Sequence, residues 1–359
     1  PDPSKLISEE TIKRLSNYVL EEGDIVVGRR GEIGRCAVVG PNESGWVCGT
    51  GSFFIRPLPS LDSQFLAHLI RSPEYREQLE KLSTGATMKN LSNTALGDLV
   101  VSVPPLAEQQ RIVGLLDEAF EGLATAKANA EKNIKNARAL FESHLQSVFT
   151  QGSQSAAEGC GPGWMETTIG AEIKFIDYRG KTPVKTASGV RLITAKNVKM
   201  GYLQQTPMEF IAAANYKGWM TRGIPQKGDV LFTTEAPLAN VAQLDTEEKV
   251  AFAQRIIIMQ PNAARLDSTF LKYLLLSQPV QQRIRTKGTG ATVQGIKASL
   301  LKLIEISFPK SLATQEQLVS KLDALSAETQ RLARLYERKL AALEALKKSL
   351  LHQAFTGAL

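Results

Sequence analysis

The chain has 359 residues, is 43% hydrophobic and 22% charged, and carries a formal net charge of +7. That length holds two or three domains with cores of their own, no run of about 18 apolar residues offers a membrane span, and no charged-then-apolar leader is seen. Cys36, Cys48 and Cys160 lack CxxC spacing and stand far from His68, His144 and His352, which argues against a zinc site and for a reducing, cytoplasmic compartment.

In chain order, Gly23-Asp24 reads as a turn leading into a strand. The loop GRRGEIGR follows, with Arg29, Arg30 and Arg35. Glycine there permits close backbone approach and arginine can bridge a guanine edge or a phosphate, although a solvated basic loop would have the same composition. Residues 64–82 predict a short helix, Thr84-Gly85-Ala86-Thr87 a turn carrying Lys89 and Asn90 behind it, and residues 99–103 an apolar strand. Pro104-Pro105 then open a helical stretch of about 40 residues whose stripe, Leu116, Ala119, Leu123, Ala126, Ala130, Ala137 and Leu140, is thin and rich in alanine. Residues 151–163, rich in Gly, Ser and Ala, read as a flexible linker.

Trp164 opens a second mixed stretch. Residues 191–195 and 230–234 read as strands, and Tyr178-Arg179-Gly180 and Lys227-Gly228 as turns. Arg179, Lys181, Thr182, Lys185, Lys196, Asn197 and Lys199 flank the turns, while Thr233, Thr234 and Glu235 occupy the place that the arginine loop holds earlier. A helix is predicted over residues 269–286, a Thr-Gly-Ala-Thr turn over 289–292 with Gln294 and Lys297 beyond it, and a strand over 304–308. After Pro309 a heptad-like seam runs through Leu322, Leu325, Thr329, Leu332, Tyr336, Leu343, Leu346 and Leu350.

These elements form a tandem repeat with a period of about 205 residues. Gly23-Asp24, Leu61-Asp62-Ser63, Thr84 to Thr87, Gln109 and Leu116-Asp117 recur as Gly228-Asp229, Leu266-Asp267-Ser268, Thr289 to Thr292, Gln315 and Leu322-Asp323. Two large copies give one chain an approximate two-fold axis, which suits a target split into two halves. The shared segments are frame, and the polar loops differ: arginines in one copy, threonines with an acid in the other. Residues 153–308 carry 19 basic and 12 acidic groups against 11 and 13 in residues 1–103, so the basic surplus that favours a polyanion sits in the second copy. Residue 1 aligns near residue 206, so the first copy is expected to lack about 40 residues at its amino end. A leucine-rich helix laid antiparallel on an alanine-rich one would make a spacer of roughly 60 Å.

No GxxxxGK[ST] loop, GxGxxG run, Asn/Asp-Pro-Pro-aromatic quartet or GxSxG elbow occurs. Asp229, Glu247 and Lys249 have the look of a metal-dependent nuclease centre, but Asp24, the twin of Asp229, has no acid-x-lysine triplet after it. What remains is binding chemistry, with no metal site and no cofactor.

The Trp164 start with Gly180-Lys181-Thr182-Pro183, the Gly228-Asp229-Val230-Leu231 turn and strand, the Thr-Gly-Ala-Thr turn, the run Pro104-Pro105-Leu106-Ala107-Glu108-Gln109-Gln110 and the ending Leu350-Leu351-His352-Gln353-Ala354-Phe355-Thr356-Gly357 together resemble the specificity subunit of type I restriction-modification systems. The resemblance covers nearly the whole chain. It implies an α+β fold in which two mixed target recognition domains are separated by two long helices forming an antiparallel coiled coil with pseudo-two-fold symmetry. The expected segments are residues 1–103, 104–150 (spacer helix), 151–163 (linker), 164–308 and 309–359 (spacer helix). It further implies a non-catalytic reader of a bipartite site in double-stranded DNA that docks two methyltransferase subunits and, through them, restriction subunits. The loops around Arg29 and around Lys181 to Asn197 would face DNA. Two departures stand out: Pro309 is single and leads into Lys310-Ser311-Leu312, and the first copy has no Gly-x-Thr-Pro loop. The rival reading from another class is a coiled-coil structural adaptor that assembles proteins without reading DNA.

Overall fold

Short runs of β-branched residues between glycine turns become strands in both copies of the repeat. The structure is a computed structural model that describes residues 6–84, 90–154, 163–178, 182–290 and 294–359. The chain divides into two units, Pro1–Ile134 with Arg334–Leu359, and Lys135–Ala333.

In the first unit α1 (Glu9–Arg14) starts at Ser8, whose hydroxyl accepts from the Thr11 amide. Then β1 (Ile25–Gly28), β2 (Cys36–Val38) and β3 (Ser52–Ile55) form an antiparallel sheet in the order β2-β1-β3. Its inward residues Ile25, Val27 and Phe53 pack with Leu66, Leu69, Ile70 and Leu79 from α2 (Ser63–Arg71) and α3 (Pro73–Leu82). The single helix expected over residues 64–82 is therefore two. Ser72 stands extended between them and caps the second through its hydroxyl, and Pro73, with no N–H to give the first helix, opens the next. After α4 (Asn93–Gly97), α5 runs over Leu106–Gln154.

The second unit is built more fully. In order come β4 (Trp164–Thr168), α6 (Ile169–Glu172), β5 (Ile173–Asp177), β6 (Val190–Ile193), β7 (Glu209–Ile211), α7 (Tyr216–Trp219), β8 (Val230–Thr233), β9 (Val241–Gln243), β10 (Val250–Phe252) and β11 (Ile256–Pro261). Then follow α8 (Ser268–Leu276), α9 (Gln278–Lys287), α10 (Ala298–Lys302), β12 (Glu305–Pro309) and α11 (Leu312–Thr356). The helix expected over 269–286 breaks at Ser277 before Pro279, as its twin does at Ser72. The sheets are ordered β5-β11-β8-β9, β10-β6-β7 and β12-β4. Strands β9-β8-β11 repeat β2-β1-β3 in register: Val26 faces Ala37 and Leu231 faces Ala242, each pair about 205 residues from its twin. Phe232, Phe270 and Phe308 lie fully buried in one cluster, each contributing on the order of 1.5–3 kcal/mol.

The strand expected over residues 99–103 does not form. Its twin β12 is a strand because it pairs antiparallel with β4, Phe308 opposite Met165. Among the described residues of the first unit no strand plays the part of β4, and Val100 and Val103 are exposed.

A fully buried glutamine fixes the start of each long helix. Gln109 accepts from the Asp62 amide (2.8 Å) and donates to the carbonyls of Ser60 (3.0 Å) and Pro104 (2.8 Å). Gln315 does the same to Asp267 (2.8 Å), Arg265 (2.8 Å) and Pro309 (2.7 Å). Asp62 and Asp267 in turn cap α2 and α8. Within the first unit the start of α5 and the end of α11 run antiparallel: Arg111 donates to the Leu359 carbonyl and Lys127 pairs with Glu344 at 2.8 Å. Ile112, Leu116, Leu351 and Ala354 bury together with Phe65 between them. In the second unit Leu145 and Phe149 of α5 share a cluster with Leu318, Val319 and Leu322 of α11.

Of the expected interface residues, Leu116, Ala130, Ala137 and Leu322 are buried, and Leu123, Leu325, Leu332, Tyr336, Leu343 and Leu350 are half-buried. Leu346 is a correction: it is 48% exposed, and the covered positions step from Leu343 to Leu350 and Leu351, with the exposed Lys347 laying its ammonium 4.9 Å from the centre of the Phe120 ring between them. Leu140 is exposed as well, and Phe141 takes its place. A helix of 3.6 residues per turn drifts away from a strict seven-residue pattern, so four-residue steps must outnumber three-residue ones.

Candidate nucleic-acid interface

The polar loops sit where the repeated frame ends. In the first unit the loop between β1 and β2 is closed by the Gly28 amide donating to the Arg35 carbonyl (2.7 Å). Gly31 and Gly34 adopt left-handed backbone angles of +74° and +78°, which L side chains rarely adopt, and Gly34 packs beside Arg76, Leu79 and the Ile70 carbonyl. This loop is tied to a second one. Thr84 and Asn90 exchange backbone hydrogen bonds, and the Leu91 amide donates to the Arg29 carbonyl at 2.9 Å. Arg30, Arg35 and Asn90 are thus brought to one loop cluster, with both arginines exposed. Arg29 is half-buried, its guanidinium 4.8 Å from the centre of the Phe53 ring. Lys89 lies outside the described residues.

The second unit repeats these ties bond for bond with other side chains. Thr289 and Gly295 exchange backbone hydrogen bonds, and the Ile296 amide donates to the Thr234 carbonyl at 2.9 Å. Gln294 and Lys297 flank this closure and are exposed. Thr233 and Thr234, expected to meet DNA, are buried instead: the Thr233 hydroxyl donates to the Pro237 carbonyl (2.6 Å) and accepts from the Asn240 amide (2.9 Å), which makes it the internal brace of its loop. Asn197 is a second correction. It is 1% exposed, and its amide accepts from Thr194 and donates to the carbonyls of Gln204 and Pro207. Small polar residues in turns bond their own backbone at least as readily as a ligand.

Lys196 is exposed beside Asn197, and Asn240 joins that turn to the Thr233 loop through the Val198 carbonyl (2.9 Å). Thr182 is exposed, Lys185 pairs with Glu209 at 2.8 Å, and Arg179 and Lys181 lie outside the described residues. The sequence reading missed Arg255, an exposed residue in the turn between β10 and β11 whose backbone φ is +79°. Its only sequence signal is an arginine that, with Gln254, interrupts two apolar runs, Ala251 to Ala253 and Ile256 to Met259.

The acids of the suspected nuclease centre do structural work. Asp229 accepts from the Gln226 amide and the Gln260 side chain, both 2.8 Å, and burial pushes its carboxyl up from its ordinary value. In its twin the Arg56 guanidinium grips Asp24 at 2.9 and 2.8 Å and holds that carboxyl below the usual range. Glu247 pairs with Lys227 on the surface. Among the described residues no cluster of three or more His, Cys, Asp or Glu is placed to hold a metal, and no helix is long and apolar enough to cross a membrane. A cavity of about 840 Å³ in the second unit, bordered by Glu172, Asp229 and Asp267, shares no lining residue with the loops.

Comparison with known proteins agrees with this geometry. The family model described as the type I restriction modification DNA specificity domain matches residues 4–136 and 180–338. The chain is 23% identical over 327 residues to the type I restriction enzyme EcoKI specificity subunit of Escherichia coli (strain K12), covering 87% of this chain and 69% of that protein. It is 22% identical over 377 residues to the putative type I restriction enzyme MjaX specificity subunit of Methanocaldococcus jannaschii, covering 99% and 83%. Among solved structures, a chain from a type I R-M system studied for complex assembly and conformational transition superposes with a TM-score of 0.79 at 22% identity, over 95% of this chain and 83% of that one. The HsdS subunit from Thermoanaerobacter tengcongensis gives 0.62 at 21% identity over 95% and 82%. The two matched stretches take in the loop clusters of both units, and the chain belongs to the type I restriction-modification DNA specificity family.

Proposed function

We propose that this chain is the non-catalytic reader of a type I restriction-modification complex. Its two unlike loop clusters each recognise one half of a bipartite site in double-stranded DNA, and α5 and α11, paired as an antiparallel coiled coil, set the distance between the halves. On this reading residues 1–103 and 164–308 are the target recognition domains, and the helices around residues 104–150 and 309–359 are spacers that also dock two methyltransferase subunits and, through them, restriction subunits.

The observation that carries the reading is one hydrogen-bonded frame holding different chemistry. The bonds from Thr84 to Asn90 and from Thr289 to Gly295 are the same, while Arg30 in one loop is replaced by Glu235 in the other. A symmetric enzyme would repeat its polar residues; two readers of different sequences would change them. Arg30 and Arg35 have the reach for a guanine edge, and the exposed Lys196, Gln294 and Lys297 suit phosphate positioning with some base contact.

Selection of duplexes from a randomised pool by the chain, assembled with its methyltransferase subunits, tests this. Arg30→Ala or Arg35→Ala is expected to weaken preference in one block of the selected sequence by about ten-fold and to leave the other block unchanged. Binding that ignores sequence and vanishes at moderate salt would instead favour the structural adaptor.

A further inference from the structure

We infer that Arg255 is a base-reading residue of the second unit, directed at the guanine of a G·C pair, and that Glu235 positions it; this rests on the DNA-reading function proposed above. Three observations converge on the pair. The backbone of Arg255 lies in the left-handed region at φ +79°, a conformation that glycine or asparagine adopts with less strain, and Gly51 stands at the twin position in the first unit. An arginine kept where turn chemistry favours glycine points to a use for its side chain. That backbone is also pinned: the Arg255 carbonyl accepts from the Thr234 amide at 2.9 Å, as the Gly51 carbonyl accepts from the Arg29 amide at 3.2 Å.

The side chain emerges inside the loop cluster. Glu235 Oε1 lies 3.0 Å from Arg255 Nε, with both side chains 45% exposed. Glu235 is itself fixed by its bridge to Gly295, where a side chain would come within 3.3 Å of the Glu235 Cβ and the Thr234 carbonyl. An acid that holds the inner nitrogen of a guanidinium fixes the plane of the fork and directs its outer nitrogens outward, the edge that pairs with guanine O6 and N7. The two units therefore present arginine from different loops. The first offers Arg30 and Arg35 from the turn after β1; the second puts an acid at that place and brings its arginine from the turn before β11.

The test is selection from a randomised duplex pool by the complex carrying Arg255→Gly, Arg255→Lys or Glu235→Gln, with thermal unfolding in parallel. Glycine fits the left-handed backbone, so Arg255→Gly should keep or raise the melting temperature while losing preference for one G·C pair by about ten-fold or more. Arg255→Lys retains the charge but not the fork and should lose the same preference, whereas Glu235→Gln should broaden it less. Preference in the block read by Arg30 should not move. If the parent complex selects two blocks and both arginine variants select the same two, the assignment of Arg255 falls and the function stands. If the parent selects no block, the function falls with it.

Discussion

Gln109 and Gln315 are fully buried, and each satisfies one amide and two carbonyls that would otherwise be orphaned at the joint between a long helix and the loop beneath it. Replacing either with leucine removes three hydrogen bonds at once and should lower stability by about 2–4 kcal/mol, read in denaturant titrations and as faster amide exchange at Asp62 for Gln109→Leu and at Asp267 for Gln315→Leu. Titration offers a second test. His68 is buried against the Phe120 ring, and burial lowers its affinity for a proton even though Asp117 Oδ1 lies 3.1 Å from Nε2 and works the other way. Because the folded value lies below the unfolded one, the unfolded chain takes up the proton first. Stability should therefore fall as pH drops from about 6.5 through the lowered folded value. The twin position is Tyr273, which bonds the twin acid Asp323, so His68→Tyr should flatten that slope in urea titrations between pH 7 and 5; an unchanged slope would place its origin elsewhere. Residue types alone showed the repeated Gln and Asp landmarks but not their tasks. Thr233, Thr234 and Asn197 carry the polar groups a DNA contact needs, and nothing in the sequence says that those groups are turned inward.

Among the elements, helices were more legible than strands because their pattern is local. Proline starts and the apolar stripe located α5 and α11 within a few residues. The breaks at Ser72 and Ser277 were signalled by Pro73 and Pro279 but were outweighed by an unbroken apolar rhythm. Residues 99–103 and 304–308 are both largely apolar runs before proline, yet only the latter region forms a strand, since a ladder requires a partner: β4 supplies it in the second unit, and no strand among the described residues supplies it in the first. The facing side of α11 is open to direct test. Leu351→Ala, at a position of α11 only 6% exposed, should cost about 2–5 kcal/mol, whereas Leu346→Ala, 48% exposed, should cost less than about 0.5 kcal/mol. Equal losses in denaturant titrations would show that the seam runs where the seven-residue pattern first put it. The surface pair Lys127 and Glu344 adds little to this balance, since both ends are about half exposed.

For the whole molecule, the repeat carries the account. It was visible from landmark residues spaced about 205 apart, and the structure extends it to the register of the sheets and to the hydrogen bonds that close the loops. What the repeat leaves variable is the chemistry at its loops, which is where a reader of two different half-sites must vary. The basic surplus over residues 153–308 predicts that binding through the second unit weakens more steeply with salt than binding through the first. The central claim is that two readers are held at a fixed interval, and the most direct measurement is the affinity of the assembled complex for duplexes in which the two selected blocks are kept and the gap between them is lengthened or shortened one base pair at a time. The account predicts a sharp optimum at a single gap, with about ten-fold or greater loss two base pairs away, whatever sequence fills the gap. An affinity that stays level across gaps, or that follows the sequence within the gap, would contradict it.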